Sequence, residues 1–320
     1  MMIYLGIEST AHTFGIGVVD GERIIANEKD SYKPEKGGIV PAEAAEHHRK
    51  HALPILERAL EKAGITAREI DVVSYAAGPG LPPCLIEGKK LAEKVAENKP
   101  VIGVNHCIAH IEIGKKDSGF KDPLTLYVSG GNTQVIALNE GRYRIFGETL
   151  DIGIGNALDK LAREMGLKMP GGPKIEKLAE KSEKYIPLPY TVKGMDFAFS
   201  GLLTAAKNSL NNSRKEDIAF SFQETAFAML AEVSERALAH TQKKEVILTG
   251  GVAANKRLAE IIKGMAEEHN AEFTVPRQEY CGDNGAMIAW LGKIVYESKT
   301  EAATDVKPKW RTDQVKVTWE

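Results

Sequence analysis

The sequence predicts an α/β protein in which one strand–helix unit occurs twice, as two lobes with a ligand cleft between them. Three observations carry this expectation. Short apolar runs and amphipathic helical stretches follow the same order, βββαβαβ then βββα again, in the two halves. The chain of 320 residues is long enough for two separate cores. Glycine-rich turns recur at strand ends, where open α/β sheets bind ligands. The expected division is a first lobe over 1–121, a second with a helical insertion over 122–297, and a tail over 298–320 that packs back on the body.

In the first half, Met2–Ile7 and Phe14–Val19 are short apolar strands, and Asp20-Gly21 turns the chain into a third at Arg23–Ala26. Pro41 opens a helix whose shared face carries Ala44, Ala45, His48, Ala52, Ile55, Leu56, Ala59 and Leu60. Pro54 is a candidate kink and Gly64 ends the helix. Strand Val72–Ala76, helix Leu85–Ala96 and strand Val101–Val104 complete the unit. The second half starts at Pro123 with strands Leu124–Ser129, Thr133–Leu138 and Tyr143–Phe146. Helices Asn156–Met165 and Glu216–His240 follow, separated by a looser insertion containing Pro170, Pro173, Pro187 and Pro189. Strand Val246–Leu248, helix Ala253–Glu268, strand Glu272–Val275 and helix Asn284–Tyr296 close it. Two such units are the plan of the actin, sugar kinase and Hsp70-like group, a resemblance of fold that does not by itself give function.

Composition narrows the class. Apolar residues at 43% and charged residues at 27% fit a soluble globular chain rather than a disordered one. A net charge of -2 gives no overall field that attracts RNA, so an RNA partner requires a local basic face or an accessory subunit. Cys84, Cys107 and Cys281 are too few, and odd in number, for a disulfide framework. No signal sequence or spanning apolar stretch is present, so the expected location is cytoplasmic, with no membrane partner.

His106-Cys107-Ile108-Ala109-His110 directly follows a strand. Residues four apart on a helix share a face, so both imidazoles can point at one ion; surface or capping histidines are the alternative. The spacing matches the zinc-protease motif, but Cys107 stands where that motif has its general-base Glu. Asp283, before the last helix, is a candidate third ligand and equally a candidate N-cap. Two His and one carboxylate suit iron(II), with zinc or manganese as alternatives, while Cys107 and Cys281 read as packing residues.

The turns Gly78–Gly80, Gly130–Asn132, Gly153–Asn156, Gly171–Pro173 and Gly250–Asn255 together favour a nucleotide cleft, because glycine amides can line a phosphate. Asp159 and Glu176 are candidate ribose partners, Glu176 being equally a helix-dipole residue. His47, His48 and His51 have spacing that mimics a second metal site. No carboxylate with the right spacing stands out, so they are expected to be core or helix-surface residues.

Val104–His110, Leu126–Thr133, Gly194–Leu202 and Gly250–Asn255, in order along nearly the whole chain, resemble the universal tRNA threonylcarbamoyladenosine synthesis family. Its members are called TsaD in bacteria and are the catalytic subunit of the KEOPS complex in archaea and eukaryotes. Lys36–Pro41, Glu43–His48 and Arg311-Thr312-Asp313 resemble the archaeal and eukaryotic branch. Leu81–Leu85 departs from the small residues usual in that loop. The resemblance implies an actin-like two-lobed fold and one divalent metal, iron first and zinc next. The implied ligands are His106, His110 and Asp283, with Tyr127 as a further or exchangeable one. It also implies adenylate contacts from Tyr127, Val128, Ser129, Gly130, Gly131, Asp159, Gly172, Glu176 and Asn255. The implied reaction passes the threonylcarbamoyl group of threonylcarbamoyl-AMP to N6 of the adenosine 3′ of the anticodon in ANN-decoding tRNAs, releasing AMP. The implied partners are tRNA, a small kinase or ATPase, a dimerising subunit and a regulatory subunit. The rival expectations are a metalloprotease acting on glycoproteins and a non-catalytic ATP-binding scaffold.

Overall fold

The computed structural model describes residues 2–34 and 38–319; the Lys36-Gly37 part of the branch motif lies outside the described residues. Contacts divide the chain into two compact units, 1–116 with 139–143 and 283–320, and 117–138 with 144–282.

The first unit opens with strands β1 (Ile3–Glu8), β2 (Thr13–Asp20) and β3 (Arg23–Ser31) and helix α1 (Pro41–Ala63). Strand β4 (Val72–Gly78), helix α2 (Pro82–Ala96), strand β5 (Val101–Asn105) and helix α3 (His106–Ser118) follow. The strands form one sheet in the order β3-β2-β1-β4-β5, antiparallel through β3-β2-β1 and parallel through β1-β4-β5. Strands β1 and β4 are buried along nearly their whole length, which explains their unbroken apolar runs. Strand β3 runs five residues past the expected end. It is an edge strand whose polar residues pair with β2 through the backbone, Ser31 opposite Thr13, and so leave no hydrophobic trace. Helix α1 continues unbroken through Pro54 and ends on Gly64 at φ 68°. Leu5, Ile7, Phe14, Ile16, Ile55, Val73 and Tyr75 form the core of this unit.

The second unit carries strands β6 (Leu124–Val128), β7 (Thr133–Asn139) and β8 (Arg142–Glu148), and helices α4 (Ile154–Glu164) and α5 (Gly172–Ala179). A small hairpin of β9 (Val192–Lys193) and β10 (Asp196–Phe197) leads to helices α6 (Ser200–Ser209) and α7 (Lys215–Thr241). Strand β11 (Glu245–Thr249), helix α8 (Lys256–Glu268), strand β12 (Glu272–Thr274) and the short helix α9 (Gln278–Cys281) complete it. The sheet order β12-β11-β6-β7-β8 repeats the order of the first sheet, so the expected duplication is present. The insertion is more regular than its prolines suggested, since it holds α5, the hairpin and α6.

The last helix, α10 (Gly285–Glu297), corrects the expected division, because it belongs to the first unit and not to the second. It packs backbone to backbone on β1 and β2. A Cβ on Gly17 would stand 2.2 Å from the Ala286 nitrogen, and one on Gly285 would stand 2.1 Å from the Gly17 nitrogen. Only glycine permits that approach. The tail continues in the same unit, with Ala303 bridging Gly103 and Lys316 bridging Arg142.

Candidate metal centre

Strand β5 passes into α3 without a loop. The Asn105 side-chain oxygen accepts from the amides of Cys107 (3.0 Å) and Ile108 (3.2 Å), which caps the helix and sets its first residue. His106 therefore begins the helix and His110 lies one turn on, their rings edge to face with centroids 4.8 Å apart. Asp283 arrives at the start of α10. The cap of that helix is Asn284, whose side chain accepts from the Met287 amide at 3.0 Å, so the N-cap reading of Asp283 does not hold. The Asp283 carboxylate faces the histidines instead, with Oδ1 3.5 Å from His106 Nε2 and 3.3 Å from His110 Nε2. One ligand atom from each of these residues lies within 4.8 Å of the other two, all within the first unit.

The sequence reading missed Glu8. This fully buried carboxylate at the end of β1 accepts from His106 Nδ1 at 2.8 Å, and its other oxygen accepts from the Thr10 amide at 2.6 Å. With Nδ1 so occupied, His106 presents Nε2 to Asp283, the arrangement in which a carboxylate orients a metal-binding imidazole. The signal in the sequence was a lone charge closing an apolar strand.

Charge explains the proton affinities. Burial pushes His106 down, but the Glu8 and Asp283 carboxylates outweigh it and raise the imidazole to about 9. His110 is pushed down by burial and by the charge of His106. Burial pushes Asp283 up, yet the His110 hydrogen bond and the charge of His106 hold it far below the ordinary carboxylate range. A half-buried carboxylate flanked by two buried imidazoles, one of them oriented by a second carboxylate, fits a divalent cation in donor type and number. Burial pushes the Cys107 thiol up to about 12, which suits packing and not ligation.

In the second unit, Tyr127 is the penultimate residue of β6, paired with Thr249 and Gln134, and Val128 closes the strand before the turn of Ser129, Gly130 and Gly131. The Gly250 backbone, at φ 99°, lies against this strand end; a Cβ there would stand 2.3 Å from the Val128 oxygen. Asn255 caps α8 by accepting from the Leu258 amide at 3.0 Å, and donates to Gln223 Oε1 at 3.0 Å. Glu176 accepts from the Lys256 amide at 2.8 Å and Asp159 from the Gly171 amide at 2.8 Å, next to Gly172. The two candidate ribose carboxylates thus tie α4, α5 and α8 together at the turns.

The family described as "TsaD: tRNA N6-adenosine threonylcarbamoyltransferase" matches residues 23–290. The tRNA N6-adenosine threonylcarbamoyltransferase of Thermococcus sibiricus is 57% identical, over 99% of this chain and 100% of its own length. The chain belongs to this family. Among solved structures, HypF of T. kodakarensis superposes on the threonylcarbamoyltransferase chain with a TM-score of 0.67 at 16% identity, covering 92% of this chain and 48% of its own. The ROK hexokinase of Thermus thermophilus does so at 0.53 and 16%, covering 92% and 99%. These likenesses are of fold, and with the repeated sheet order they establish the actin-like plan. Among the described residues, no helix of the threonylcarbamoyltransferase is long and apolar enough to cross a membrane.

Proposed function

We propose that this threonylcarbamoyltransferase works through a divalent ion, iron first and zinc next, held by His106, His110 and Asp283. The transfer runs from threonylcarbamoyl-AMP to N6 of the adenosine 3′ of the anticodon in ANN-decoding tRNAs. The observation that carries this reading is the convergence of those three side chains, within 4.8 Å of one another, in a chain of this family.

When bound, the ion would act as a Lewis acid on the carbamoyl carbonyl. The residues of the chain do the rest. Glu8 fixes the tautomer of His106, and the Gly17–Gly285 contact fixes where Asp283 stands. Ser129, Gly130, Gly131 and Gly172 offer backbone to the AMP moiety; Asp159, Glu176 and Asn255 meet its ribose and base. Tyr127, at the end of β6, is assigned as a further or exchangeable ligand. The N6 amine forms a bond to the carbamoyl carbon as the carbon–phosphate oxygen bond breaks. AMP leaves with the bonding pair, and the amine proton passes to water or to the departing phosphate. Positioning of a reactive mixed anhydride supplies much of the rate. The partners are tRNA and KEOPS-type subunits: the small kinase or ATPase, the dimerising subunit and the regulatory subunit. The place of action is the cytoplasm. A peptidase reading finds no support, since Cys107 stands where the base is needed and is buried.

The test is transfer from threonylcarbamoyl-AMP to an ANN-decoding tRNA, with and without those subunits, alongside elemental analysis. Transfer is expected to track bound metal. Full transfer by the double variant His106→Ala, His110→Ala, which lacks both imidazoles of this centre, would overturn the reading.

A further inference from the structure

The carboxylate that sequence spacing could not supply to the histidines of α1 comes from β3. His47 and His51 stand four apart on one face of the helix, and Asp30 faces them from the neighbouring strand. One ligand atom from each lies within 4.8 Å of the other two. His47 Nε2 is 2.9 Å from Asp30 Oδ1, and the His47 and His51 rings stack at 4.4 Å between centroids, 21° from parallel. His48, the third histidine of the motif, is fully buried, and its Nδ1 lies 3.4 Å from His47 Nδ1. Tyr32 packs edge-on against the same ring at 6.2 Å. These contacts hold His47 with Nε2 turned toward Asp30. The side chains are partly open, Asp30 at 45% and His47 at 14%, so an ion and its water can enter.

We propose that Asp30, His47 and His51 form a second divalent-cation site, of the class that takes zinc, separate from the His106–His110–Asp283 centre. Two imidazoles and one carboxylate are the donor set of zinc sites with a fourth position for water. No residue is shared between the two groups. Nearby charges are already matched and do not compete for the ion, since Arg49 pairs with Glu46 and Glu87, and Tyr32 donates to Glu43.

The test is equilibrium dialysis of the metal-stripped full chain against micromolar Zn2+, read by elemental analysis. Wild type is expected to hold two ions per chain. Asp30→Asn and His51→Gln should each hold one, and the double variant His106→Ala, His110→Ala should hold the other. The ion retained by Asp30→Asn and His51→Gln also reports that they are folded. One ion in wild type that disappears in the His106→Ala, His110→Ala variant, or two ions in Asp30→Asn and His51→Gln, would overturn the proposal.

Discussion

Glu8 reaches His106, at the proposed metal centre, from 98 positions away in the sequence, and this separation hid it from a reading based on spacing. His106 and His110 were legible because a helix brings residues four apart onto one face. Asp283 was only half legible, since an aspartate before a helix is usually a cap, and the structure had to give that task to Asn284. The orienting role of Glu8 has a measurable size. Glu8→Gln should weaken metal binding by about 10- to 100-fold in chelator competition, while far-UV circular dichroism stays unchanged. Asp283→Ala, which removes one of the proposed ligands outright, should release the ion of that centre and reduce transfer by at least about 100-fold. If Asp283→Ala keeps both ion and rate, the carboxylate is not a ligand.

Among the elements, buried strands and long helices were readable because their periodicity records burial, as in β1, β4 and α7. The outer half of edge strand β3, past Ala26, and helix α6 were not. Helix α6 is short and opens at Ser200-Gly201, with an anchor supplied from elsewhere: Asp151 accepts from the amides of Phe199 and Ser200, each at 2.9 Å. Burial pushes the Asp151 carboxyl up, but these hydrogen bonds outweigh it and hold it below the ordinary aspartate value of 3.8. A depressed carboxylate contributes stability above its unfolded value and loses it as pH falls through the folded one. Asp151→Ala should therefore cost about 1 kcal/mol near pH 6, and the difference from wild type should shrink as pH falls below 3.8 in urea titrations. Helix α10 answers to a different constraint, the close approach at Gly17. Gly17→Ala must push the helix away, with an expected loss of about 1–3 kcal/mol. Because Asp283 precedes that helix, weaker metal binding should accompany the loss. Melting temperature and chelator competition test the two effects, and a destabilised variant with undiminished affinity would separate α10 from the placing of Asp283.

For the whole molecule, the duplication was legible because each half spells the same succession of strands and helices, and both sheets adopt the same order. The limits of the units were not, because the chain leaves the first at 116, rejoins it briefly at 139–143 and returns to it at 283. Periodicity identifies elements; it does not say which core an element joins. A chain shortened to end at Gly282 should lose amide-exchange protection in β1, β2 and β4 and keep it in β6 and β11, since α10 covers only the first of the two sheets. Equal loss in both would show that the units do not fold separately.

The order of the proposed ligands along the chain also matters while the protein is being made. On the ribosome, both imidazoles and their orienting carboxylate emerge early, and the remaining donor follows only after the second unit has been synthesised. A product ended before Asp283 would carry the first donors of the proposed centre and still fail to close that cage, so an ion held there implies that synthesis has passed the second unit.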